Sequence, residues 1–210
     1  MLIFNRVSSD SVKVAARFGS YEVFRGLIHL PRDRTLSLMP HPPVGGRVAT
    51  DCLLVKLPDD LYIESGGTAA LNVQVPVDIG LYLGSSLVAV IPSRPKYALY
   101  GPSDLGDLCR YSCLELVESL EPCLKSVLGV SVSNIGKTTV RVSKVVVPTR
   151  GVGMYISPTW RPLITSVKLL VHSQTYAEVR TEPSSPPPVE EALKMVVPPV
   201  AVTYVMRYGL

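Results

Sequence analysis

The chain has 210 residues, of which 47% are hydrophobic and 18% charged, enough for a substantial core and far from the composition of a disordered chain. Its 21 basic and 17 acidic residues leave a net charge of +4 without a lysine- or arginine-rich block. That balance argues against a nucleic-acid-binding face, and the length suits one domain better than two.

The N-terminal segment "MLIFNRVSSDSVK" lacks a basic region followed by an apolar run and a small-residue cleavage site, so the cytoplasm is the expected address. Residues 1–17 suit an edge hairpin. Beyond them the periodicity is that of strands. "CLLVKL" (52–57), "LYIES" (61–65), "ALNVQVPVDIGLYL" (70–83) and "SLVAVIP" (86–92) are short apolar or alternating runs. Pro58-Asp59-Asp60 and Ser65-Gly66-Gly67 supply turn material between them.

The stretch "KYALYGPSDLGDLCRYSC" (96–113) is the densest polar and aromatic segment. Helical spacing of Leu114, Val117, Leu120 and Leu124 follows it, but Pro122 interrupts the run and the surrounding pattern favours strand. "VLGVSVSN" (127–134), "TTVRVSKVVVP" (138–148) and "GMYIS" (153–157) resume the β texture, and the turn "NIGK" (134–137) predicts a hairpin between the first two.

Residues 183–199 read as a proline-rich linker in which Val189 to Met195 can form a short helix. In residues 200–210, Val200, Val202, Tyr204 and Met206 share one face of an extended strand, which predicts docking on a sheet edge, in cis or on a second subunit. The run Met195 to Met206 is too short to span a membrane and contains Pro198-Pro199. The whole predicts an all-β protein: an antiparallel sandwich, or barrel-like sandwich, of about a dozen short strands over residues 1–182.

Glutamine occurs only at positions 74 and 174 and asparagine only at 5, 72 and 134, a scarcity of thermolabile amides that points to a thermophilic source. Free buried thiols are the expected state of the four cysteines. If residues 109–113 are extended, Cys109 and Cys113 lie about 13 Å apart and cannot bridge each other.

Candidate chemistry is sparse. "NIGKTT" is not a phosphate loop, because position 131, where the motif needs glycine, is Ser. Cys109, Cys113 and Cys123 lack a Cys-x-x-Cys knuckle, and His29, His41 and His172 are scattered, so no metal or other cofactor is expected. There is no G-x-S-x-G elbow for a hydrolase. Asp78, set in an apolar strand, needs a partner if buried, and an arginine is the natural one.

The strongest candidate site is the 96–113 stretch. Lys96 and Arg110 can clamp an anion between the amphipathic walls of Tyr97, Tyr100 and Tyr111, with Asp107 beside them. The competing explanation is structural: good turn chemistry at Tyr100 to Asp104 and an Asp107–Arg110 ion pair.

"KYALYG" (96–101), "GDLCRY" (106–111), "VPVDIGLYL" (75–83) and "NIGKTTVRVSKVVVP" (134–148) together resemble an archaeal family of β-rich proteins with no assigned chemistry. The resemblance covers most of the chain. Through relatives associated with small mechanosensitive channels, it implies a regulatory or interaction role and a membrane-protein partner. The expected function is therefore non-catalytic binding or assembly through a protein partner or self-association. The alternative is an enzyme, or a binder of small anions, built on Lys96 to Tyr111.

Overall fold

The computed structural model describes residues 2–18, 20–31, 34–43, 50–93, 96–112, 125–181 and 194–210. These form an all-β protein of seventeen strands in four open sheets, with no helix among the described residues and so none able to cross a membrane.

The chain begins with a three-stranded antiparallel meander: β1 (Leu2–Ser8), β2 (Ser11–Phe18) and β3 (Tyr21–His29). Next comes a small sheet in the order β4 (Leu36–His41), β7 (Asp78–Leu83), β8 (Ser86–Ile91). Val14, Ala16 and Ile28 of the meander and Leu81 and Ile91 of the small sheet form one hydrophobic cluster.

The larger core lies between two other sheets. One has the order β12 (Val140–Pro148), β5 (Cys52–Ile63), β10 (Asp107–Tyr111), β9 (Tyr97–Tyr100). The other runs β16 (Lys194–Val197), β13 (Met154–Ile156), β14 (Pro162–Val171), β11 (Lys125–Asn134), β6 (Thr68–Pro76). To β14 it adds β15 (Ala177–Thr181) and then β17 (Val202–Met206). Val55, Leu57, Val142 and Val145 of the first sheet join Val73, Leu128, Val130, Leu169 and Val179 of the second in one buried cluster. Alternation produces this core directly: Val140 and Val142 are buried while Arg141 between them is exposed.

Several expected turns are something else. Pro58 to Asp60 do not reverse the chain; β5 runs through them, and its pairing with β12 slips from Val142↔Leu61 to Lys144↔Lys56, leaving Leu57 to Asp60 opposite Ser143 as a bulge. The single run 70–83 is two strands in different sheets, β6 and β7, broken at Val77.

The expected 134–137 hairpin is a corner between sheets. β11 pairs with β6 and β14, whereas β12 pairs with β5. Asn134 explains the corner: its buried amide donates to the carbonyls of Ile63, Glu64 and Thr138 and accepts from Gly136 N–H, tying the turn to the end of β5.

The helical pattern at 114–124 lies outside the described residues, as do residues 183–193 of the expected linker. Lys194 and Met195, at the end of the expected short helix, are instead in strand β16, where Lys194 pairs with Ile156 and Met195 with Tyr155. Strand β17 pairs in cis with β15, Met206 opposite Ala177 and Val202 opposite Thr181.

Candidate functional site

The 96–113 stretch folds as the β9–β10 hairpin, with Tyr97 opposite Arg110, Ala98 opposite Cys109, Leu99 opposite Leu108 and Tyr100 opposite Asp107. Gly101 opens the turn at φ +113, a conformation suited to glycine, and any Cβ there would strike the ring of Tyr208. Strand alternation then divides the candidate residues. Tyr97, Leu99, Leu108 and Arg110 point to one face; Ala98, Tyr100, Asp107, Cys109 and Tyr111 point to the other.

On the first face Arg110 is fully buried. Its guanidinium makes two hydrogen bonds to the Asp78 carboxylate, at 3.2 and 3.1 Å, and one to the Ser93 carbonyl at 2.9 Å. Ser93 N–H donates back to Asp78 at 2.9 Å, and the Ser93 hydroxyl donates to the Val77 carbonyl. Arg110 also lies 5.9 Å from the centre of the Tyr97 ring. This knot joins β7 of the small sheet to β10 of the larger sandwich. It supplies the arginine partner that Asp78 requires, and it replaces the expected Asp107–Arg110 pair.

The second face is fastened by the C-terminal segment. Tyr204 donates to the Asp107 carboxylate, and Tyr100 donates to the Gly209 carbonyl at 2.9 Å while accepting from Tyr208 N–H at 3.1 Å. The Tyr208 ring meets Tyr100 edge-on at 5.5 Å, and its hydroxyl donates to the Leu105 carbonyl. Lys144 from β12 sits 5.3 Å from the Tyr100 ring centre. Burial is the main reason the Tyr100 and Tyr204 phenols keep their protons above the usual tyrosine value, far above it for Tyr204, where the Asp107 carboxylate adds to it.

Cys109 forms a disulfide with Cys52, correcting the expectation of free thiols. The reason is lateral register: the parallel β5–β10 pairing sets Arg110 beside Leu53, and one step back sets Cys109 beside Cys52, with Cα atoms 4.8 Å apart. Cys113, Cys123 and their state lie outside the described residues.

The six predicted site residues therefore do not line one pocket. Tyr97 and Arg110 belong to the Asp78 knot, Tyr100 and Asp107 to the C-terminal contacts, Tyr111 packs on the main core, and Lys96 is exposed beside β9. Two concavities lie elsewhere, one of about 160 Å³ at the β5 bulge and an open one of about 610 Å³ at Arg6 to Ser9. Among the described residues no group of three His, Cys, Asp or Glu side chains gathers to hold a metal.

What the hairpin does expose is leucine. Leu99 is 43% exposed, Leu108 opposite it 42%, and Leu105 in the turn 70%. In the sequence the polar residues stand out and the leucines between them do not; alternation within "YALYGPSDLGDLCRY" is the signal that marks them. Among the described residues β9 pairs only with β10.

No curated protein and no solved structure matches the chain. A family model described as a protein of unknown function, DUF432, matches residues 6–206, nearly the whole chain and the entire β9–β10 hairpin, and the chain belongs to that family.

Proposed function

We propose that this protein is a non-catalytic binding and assembly module that engages a protein partner through the β9–β10 hairpin. The observation that carries this reading is the exposed leucine set Leu99, Leu105 and Leu108 on a hairpin whose outer strand pairs, among the described residues, with β10 alone. Folded proteins usually blunt such an edge with charge, proline or a covering segment, because it offers both apolar surface and unpaired backbone groups. An edge that is leucine-rich and held rigid from both faces suits recognition by strand addition.

The alternative of a small-anion site finds less support, since the guanidinium it needs is already engaged by Asp78. A thermophile cytoplasm fits the setting, because few amides and a buried disulfide go together where intracellular disulfides persist. A regulatory role follows from the same logic of binding without chemistry.

The test is site-specific photocrosslinking in cells expressing the chain, with the photoreactive residue at Leu105 or, as control, at exposed Lys137. Protein adducts concentrated at Leu105 are the expected result. Equal or absent adducts at the two positions would sink the reading.

A further inference from the structure

We infer that the cavity at the β5 bulge seats one lysine side chain of a partner protein, its stem on the apolar lining and its ammonium at Asp59. None of the lining residues belongs to the β9–β10 hairpin, so this inference stands apart from the reading of that hairpin.

The cavity begins with the bulge. Leu57 to Asp60 lie opposite the single residue Ser143, and Pro58 among them has no N–H to give a ladder. A bulged strand bends, and here the bend opens a hollow of about 160 Å³ against Ala69, Ala70 and Leu71 of β6. Ala69 and Leu71 pair with Val132 and Val130, both in the main core, so their side chains share that inward face. Buried Leu57 and half-buried Leu61 and Leu71 make the lining apolar, and the short side chain of Ala69 leaves room beside them.

Two exposed carboxylates stand at the rim. Asp60 is taken, since Arg141 of β12 holds it at 2.7 Å. Asp59 makes no ion pair among the described residues. A free carboxylate beside an apolar hollow calls for a cation with an apolar body.

Size narrows the choice. Pockets for whole metabolites hold about 300–1,000 Å³, well above this one. At about 30 Å³ per water-sized group, the hollow takes roughly five such groups. Lysine's four-carbon stem and its ammonium match that number, whereas the branched guanidinium of arginine exceeds it. Lysine also lays its stem on apolar surface while its head stays hydrated, which suits an exposed Asp59.

Chemical-shift mapping of the isotope-labelled native chain with the end-blocked peptide Gly-Lys-Gly tests this. The amide signals of Leu57, Asp59 to Leu61 and Ala69 to Leu71 should move together and saturate in the millimolar range. The same peptide with its lysine acetylated keeps the stem and loses the charge, and should bind about two- to fivefold more weakly. Asp59→Asn should weaken Gly-Lys-Gly by the same factor and leave the acetylated peptide unchanged, a cycle that isolates the ammonium–carboxylate contact. Ala69→Val narrows the hollow and should weaken both peptides, with the melting temperature checking the fold; Asp59, being exposed, tests the seat without that concern. The absence of shifts localised to these residues, equal binding of the two peptides, or native binding of Gly-Lys-Gly by Asp59→Asn would overturn the inference. n-Butylammonium binding at these residues where Gly-Lys-Gly does not would assign the seat to a free amine and refute a partner's lysine.

Discussion

Replacing Asp78 by Asn tests the buried knot most directly. Both charged groups are fully buried, and the carboxylate takes two bonds from Arg110 and one from Ser93 N–H. Asparagine keeps the shape but removes the charge, leaving a guanidinium in the interior without its counter-ion. Breaking a buried pair from one side costs about 3–5 kcal/mol. With an unfolding entropy near 2.1 cal/mol/K per residue, a chain of 210 residues should lose roughly 7–11 °C of melting temperature, read by calorimetry. The double variant Asp78→Val/Arg110→Met removes both desolvation penalties and should recover most of the loss. Because the pair joins β7 to β10, Asp78→Asn should also separate melting of the small-sheet cluster from that of the larger core. A single-variant loss under about 1 kcal/mol, or a double variant as unstable as the single, would refute the view that burial of the charge governs this contact.

Peptide mapping by mass spectrometry without reduction should recover a Cys52–Cys109 linkage, and Cys52→Ala/Cys109→Ala should lower stability by about 2–5 kcal/mol; a map without that linkage refutes the strand register. Stability should fall as pH rises above about 10, the ordinary tyrosine value, because Tyr100 and Tyr204 keep their protons in the fold while the unfolded chain loses them. The stability these phenols contribute is fully present below that pH. Tyr204→Phe should flatten part of the alkaline loss in melts taken at stepped pH, and an unchanged slope would count against burial of that phenol.

The amino-acid sequence by itself determined that the chain is built of strands and which residues share a face. Val140, Arg141 and Val142 alternate as written, and a β-branched, alternating pattern leaves little room for helix. That information is local, with a period of two residues, and it stops at the single strand. Which sheet a strand joins is set by burial and backbone pairing over long separations, and the run 70–83 looks the same whether its halves sit in one sheet or, as here, in two. Only the tertiary structure could pair Arg110 with Asp78 rather than nearby Asp107, set Cys109 beside Cys52 across 57 residues, and bring Tyr204 to Asp107. The polar cluster of 96–113 dissolved for the same reason. Neighbours in a strand point to opposite faces, and each face met a different part of the chain before the leucines between them were left to solvent.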